Sequence, residues 1–175
     1  MLLIDLQRAI DDPVWGQRNN LQAEDQLLRL ITHWRTQEWP LIHIRHDSQD
    51  PNSPYRPGQA GNDFRSPTAP VEGETVIAKQ TNSAFIGTDL ETRLRKAGHT
   101  TLVVAGVVTN NSVEATVRMA GNLGFATWLV EDACFTFGRK DWNGAWHSAE
   151  EVHAMSLANL NGEYCTVLTA AGLLI

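Results

Sequence analysis

Two cysteines in 175 residues, Cys134 and Cys165, are too few for a disulfide framework, and both lie in apolar stretches. Free buried thiols in a reducing compartment are the expectation. No block of Lys or Arg stands out, and 14 basic residues against 20 acidic ones leave a formal net charge of -6. That balance argues against a nucleic-acid partner and against an anionic membrane surface. No apolar run is long enough to span a bilayer. Met1 leads straight into LLIDLQ with no basic stretch before it, so no signal peptide is expected and the cytoplasm is the expected location. Internal repeats and low-complexity tracts are also missing. So is a dinucleotide fingerprint, because Gly121 and Gly124 follow a predicted helix and do not precede one.

What is present is an ordinary globular composition, 42% hydrophobic and 19% charged, with length for one domain over residues 1–175. Short apolar runs alternate with helical periodicities. Strands are predicted at Met1 to Ile4, Leu41 to Arg45, Thr75 to Ala78, Thr101 to Ala105, Ala126 to Val130 and Cys165 to Thr169. The first helix is expected to start from a cap at Asn19 or Asn20 and to run to about Gln37, with Leu27, Leu28, Ile31 and Trp34 on its apolar face. Thr88 with Glu91, and Ser148 with Glu151, have capping-box spacing. Such alternation implies an α/β fold: a three-layer α/β/α sandwich around a parallel sheet of about six strands. Asp47 to Gly73 differs, holding five of the seven prolines. A connection this long is a functional covering loop or a disordered one. Phe135 to His147 reads as a polar loop.

The stretch Thr101 to Phe125, TLVVAGVVTNNSVEATVRMAGNLGF, reads as a buried strand, a tight turn and a helix. A helix start at the carboxyl end of a parallel strand is where open α/β sheets put ligands. Asp5, Lys79 and Ser112 each sit just past a strand, so one sheet edge gathers them. An Asp beside a Lys forms an ion pair whose members tune each other, and such an Asp can carry a proton. Ser112 at the helix start can act as nucleophile or oxyanion donor. Each also has a plain reading, as turn residue, solvated lysine and helix cap.

Three segments narrow this: IDLQ around Asp5, AKQTNSAF from Ala78 to Phe85, and GVVTNNSVEATVRMAGNLGF from Gly106 to Phe125. Together, and in this order, they resemble the isochorismatase-like hydrolases, also called cysteine hydrolases. The resemblance implies a catalytic triad of Asp5, Lys79 and the residue at 112, and a cis peptide at Val107–Val108. Backbone groups around Val107 and Val108 would serve an oxyanion. Gln7, Phe85 and Asn111 from these segments, with Trp15 from the loop before the first helix, are expected to line the substrate pocket. A homodimer or higher homo-oligomer is implied, with the loop residues Trp142 and Trp146 as interface candidates.

Position 112 departs from the family pattern, which has cysteine there. A serine hydroxyl is far harder to ionise than a thiol. Ser112 is therefore a nucleophile, or a substrate-binding residue beside an acid–base Asp5, or the mark of a weakened site in a binding protein. A cysteine replaced in the laboratory is a further reading, against which Asn110 and Asn111 also differ from the pattern, favouring natural divergence. The expected substrate is a small amide, carbamoyl compound or vinyl ether, with a carboxylate favoured. No cofactor is expected. His43 and His46 flank Arg45 without the cluster a metal needs, so no metal is expected either. Cys134 reads as a structural thiol rather than a replacement nucleophile.

Overall fold

The computed structural model describes residues 1–174. Its centre is a six-stranded sheet of β1 (Leu2–Ile4), β2 (Ile42–His46), β3 (Thr75–Lys79), β4 (Thr101–Val107), β5 (Ala126–Phe135) and a last strand, Thr166–Leu168. Every neighbouring pair is parallel. In space the order is β3, β2, β1, β4, β5 and then the last strand. The chain thus winds outward one way from β1 to β3, jumps back, and winds the other way from β4. The crevice between β1 and β4 is the switch point, where such sheets bind ligands at their carboxyl ends.

The sequence explains why β1 and β4 are central. Leu2, Leu3 and Ile4 are all buried, as is β4 from Leu102 onward, so both strands carry apolar residues for both faces. The right-handed crossover rule assigns α1 (Ala23–Thr36) to one face. It assigns α2 (Leu90–Lys96), α3 (Glu114–Asn122) and α4 (Ala149–Leu160) to the other, and α3 packs against α4. A short final helix, α5 (Ala170–Leu173), packs beside α1. Among the described residues no helix is long and apolar enough to cross a membrane.

Several expected boundaries move. Strand β4 runs two residues past Ala105, and β5 runs to Phe135, taking in Glu131 and Asp132. Part of the expected polar loop is a two-stranded hairpin, β6 (Arg139–Lys140) with β7 (Trp146–His147), which makes the last sheet strand β8. Neither Asn19 nor Asn20 caps α1, whose cap position is Gln22. Asn19 accepts from the Thr136 amide at 2.8 Å, and Asn20 donates to the Glu131 and Cys134 carbonyls. Both tie the chain to the end of β5, a use that outweighs local capping. The box at Thr88 and Glu91 is also replaced. Thr88 donates to the Ala84 carbonyl, and Glu91 pairs with Arg95 one turn on. The Ser148–Glu151 box forms as expected.

The long segment 47–73 is an ordered cover. Asn62 is buried in it and donates to the carbonyls of His46 and Tyr55, so it stitches the cover to the end of β2.

Candidate active site

Asp5 follows β1, Lys79 closes β3, and Ser112 lies in the turn after β4. The carboxyl edge of the sheet brings the three together. Lys79 Nζ donates to Asp5 Oδ2 at 2.8 Å and to Ser112 Oγ at 3.2 Å. It also donates to the Thr81 carbonyl at 3.1 Å. The Lys79 side chain is 0% exposed and that of Asp5 6%. A buried ammonium is tolerable only when paired and hydrogen-bonded, as here. Asp5 holds a left-handed backbone, φ 52°, which lets the chain leave the sheet immediately after its amide bonds the Ile44 carbonyl.

Burial pushes the Asp5 carboxyl above the ordinary aspartate range, while Lys79, the Ser112 hydroxyl and His46 pull it back. Burial likewise pushes Lys79 down against the opposing pull of Asp5. Desolvation thus works against both charges, and the ion pair works for them, so the proton affinities of the two groups are drawn together. Asp5 Oδ1 is buried and, among the described residues, has no hydrogen-bond partner.

Ser112 sits in a wide turn, Thr109–Val113, that leads into α3. Its carbonyl support comes from α4: Ser156 Oγ donates to the Thr109 carbonyl at 3.4 Å, and His153 Nδ1 lies 2.9 Å from Thr109 Oγ1. The Val107–Val108 peptide just before the turn is cis, as the resemblance implies. Among the described residues no histidine hydrogen-bonds Ser112.

Asp5 and Ser112 open on a cavity of about 460 Å³. Asp5, Ser112, Val107, Val108 and Asn111 line it, as does Trp15, which stacks on Phe137 at 6.0 Å and donates its indole N–H to the Ala9 carbonyl. Two expected pocket residues do not line it. Gln7 is wholly buried: its side chain bonds the His46 amide at 2.7 Å and the His46 and Asn62 carbonyls, lacing β1 to β2. Phe85 stacks on Phe125 at 5.9 Å in the core. Membership of a motif is not the same as facing the cavity.

The sequence reading did not place His46, Tyr55, Phe137 or Arg139 in this wall, and all four line it. His46 was legible in principle, since it ends β2 at the same sheet edge as Asp5 and Lys79. Tyr55 and Phe137 come from irregular segments with no periodicity to mark them. His43 takes its plain reading, buried with Nε2 2.8 Å from Glu74 Oε2. Among the described residues no group of three or more His, Cys, Asp or Glu is arranged for a metal ion. Cys134 is buried, and that burial pushes its thiol up to about 12, so it stays protonated. A larger groove, about 1240 Å³, runs along the amino end of β2 and β3 past Arg35, Trp39 and Arg93, and contains none of the strand-end residues.

Comparison with known proteins agrees with this architecture. The isochorismatase domain profile matches residues 1–171. The isochorismatase family protein YrdC of Bacillus subtilis is 40% identical over 169 residues, covering 97% of this chain and 90% of its own. Nicotinamidase 3 of Arabidopsis thaliana is 27% identical over 173 residues, 91% of this chain and 79% of its own. A crystal structure of an isochorismatase-family protein from Chromobacterium violaceum superposes with a TM-score of 0.96 at 65% identity, over 99% of this chain and 90% of that one.

Proposed function

The chain belongs to the isochorismatase family of hydrolases, and on that premise we propose that it hydrolyses a small amide, carbamoyl compound or vinyl ether at Asp5, Lys79 and Ser112. The observation that carries this reading is the free oxygen of Asp5. Asp5 lines the cavity, gives Oδ2 to Lys79, and leaves Oδ1 buried without a partner among the described residues. An unsatisfied buried acceptor costs about 1–3 kcal/mol, which a ligand proton on Oδ1 offsets. A carboxyl whose proton affinity is raised by burial takes up a proton more readily than an exposed aspartate, which suits it to carry one.

Each group then has a task. Asp5 moves the proton. Lys79 holds Oδ2 and steadies the ionised carboxylate. Ser112 positions the substrate through its hydroxyl. Lys79 donates to its Oγ and, among the described residues, no histidine hydrogen-bonds it, which favours this role over covalent attack. Backbone groups at Val107 and Val108 stabilise the developing oxyanion. For an amide or carbamoyl compound one water is split: its hydroxyl goes to the carbonyl carbon, and its proton goes through Asp5 to the leaving nitrogen. For a vinyl ether Asp5 protonates the terminal vinyl carbon, water adds to the ether-bearing carbon and returns a proton to Asp5, and the hemiketal collapses to a ketone as its hydroxyl proton passes to the leaving oxygen. Trp15, Phe137 and Asn111 wall the substrate, and Arg139 at the same wall suits a carboxylate on it.

The test is turnover on a panel of small amides, carbamoyl compounds and vinyl ethers, with Asp5→Asn as control. Hydrolysis that depends on Asp5 supports the reading. Equal activity in the control removes the mechanism. A wild-type protein that binds panel members without turning any over is a binding protein instead.

A further inference from the structure

Among the described residues His46 is the one imidazole that both lines the cavity and touches the Asp5–Lys79 pair. It closes β2, one strand from Asp5 on one side and one from Lys79 on the other. Its place is fixed on three sides. The Gln7 side chain takes its amide at 2.7 Å and its carbonyl at 3.0 Å, and Asn62 donates to the same carbonyl at 2.9 Å. Tyr55 meets the ring edge to face at 5.7 Å. The Nδ1 atom lies 3.4 Å from Lys79 Nζ.

That contact fixes the tautomer. An ammonium has three N–H bonds and no lone pair, so it can only donate. Four acceptors surround Lys79 Nζ: Asp5 Oδ2, the Thr81 carbonyl, Ser112 Oγ and His46 Nδ1. The contact to His46 Nδ1, at 3.4 Å, is the longest of the four. A hydrogen on Nδ1 would point at the ammonium, so the ring hydrogen belongs on Nε2. Among the described residues Nε2 has no hydrogen-bond partner in the chain.

We infer that His46 donates Nε2–H to an acceptor oxygen, carbonyl or carboxylate, on the molecule bound in the cavity. The inference rests on reading this cavity as the reactive site. Charges around the ring support a neutral donor. Burial and then the Lys79 charge hold its proton affinity below the ordinary histidine range, against the pull of Asp5 and Asp47. Asp47 itself is engaged by Arg45 at 2.9 Å. The same Lys79 therefore sets the carboxylate of Asp5 on one side and the tautomer of His46 on the other. A ligand that satisfies both must carry an acceptor oxygen close to the group that receives the Asp5 proton. Amides and carbamoyl compounds meet that condition at the reacting carbonyl. A vinyl ether meets it through a neighbouring carboxylate.

The experiment uses the full chain with ring-¹⁵N histidine, and benzamide as probe. The long-range ¹H–¹⁵N spectrum at neutral pH, with His46 assigned by its loss in His46→Gln, should show the Nε2–H form. Adding benzamide should shift Nε2 and its proton. Benzamide affinity should fall about tenfold in His46→Phe, the loss of one directed hydrogen bond, and stay within about threefold in His46→Gln, whose amide nitrogen replaces the donor. An Nδ1–H tautomer, an imidazolium at neutral pH, no shift with benzamide, or unchanged affinity in His46→Phe overturns the inference. The two readings fail separately. Loss of all panel turnover with the benzamide shift intact removes the Asp5 mechanism alone. Asp5-dependent turnover with His46→Phe unaffected removes the role of His46 alone.

Discussion

Lys79 Nζ lies 2.8 Å from Asp5 Oδ2, so two residues 74 positions apart in sequence close into a contact that water barely reaches. The pair exists because β1 and β3 both end at one sheet edge, not because of any local motif. Removing one partner leaves a buried group uncompensated. Lys79→Met, which keeps the bulk, should lower the unfolding free energy by about 3–5 kcal/mol in urea titration. A loss under about 1 kcal/mol would mean that the pair contributes little to holding the edge together.

Gly106 pairs with Ile4 across β4 and β1. Its φ is +128°, and a Cβ there would stand 2.3 Å from the Ile4 carbonyl oxygen and 2.6 Å from the Ile4 amide nitrogen. Backbone, not a flexible side chain, is in the way. Gly106→Ala should therefore cost more than about 3 kcal/mol and shift the register that sets Asp5 against Ser112. A melting temperature within a degree or two of wild type, on the order of 0.5 kcal/mol, would contradict this.

Acid should loosen two clamps whose charged residues do not line the cavity. Burial pushes Glu24 up, but Arg18 and Arg65 outweigh it and hold the carboxyl down to about 2. Burial also opposes Glu74, and Arg35, the Val71 amide and His43 bring it to about 2. Both affinities are lower folded than unfolded. Their stabilisation is thus complete above the ordinary glutamate range and lost as pH falls toward about 2. Glu24→Gln should remove about 1.5–3 kcal/mol at neutral pH and flatten the acid limb of a stability–pH curve. Wild-type and variant curves that stay parallel would contradict the assignment.

Trp142, Trp146 and Met155 are 93%, 65% and 64% exposed, on the β6–β7 hairpin and the neighbouring face of α4. Exposed aromatics of this size suit a subunit contact. Light scattering should give a homodimer or a multiple of one, and Trp142→Ser with Met155→Ser should shift it toward monomer. A wild-type monomer across a wide concentration range would contradict the expectation.

The residues legible in the sequence were those fixed by strand ends. Asp5 and Lys79 follow apolar runs whose parallel packing is nearly forced, so their meeting could be argued without coordinates. Ser112 followed from the turn after β4. What escaped was set by tertiary contacts. Gln7 sits in the same segment as Asp5 but on the inward side, where it laces β1 to β2. Asn19 and Asn20 have cap-forming side chains, yet the end of β5 engages them first. Phe85 carries a motif and serves the core. Tyr55 and Phe137 reach the cavity from segments whose path depends on what they cover. His46 ends a strand as Asp5 does, but weighing it only as a metal ligand concealed its contact with Lys79.

The central claim is that Asp5 moves the proton while Ser112 holds the substrate without bonding to it. The direct measurement is kcat/KM of Asp5→Asn and Ser112→Ala, side by side, on the best-turned-over member of the panel, with intact-protein mass spectrometry during turnover. Asp5→Asn should lose about 10²–10⁴-fold, the range of a general acid–base group. Ser112→Ala should lose only about tenfold, one hydrogen bond. No mass should be added to the wild-type chain. A Ser112→Ala loss as large as that of Asp5→Asn, together with an acyl adduct on Ser112, would contradict the account and make the serine a covalent nucleophile.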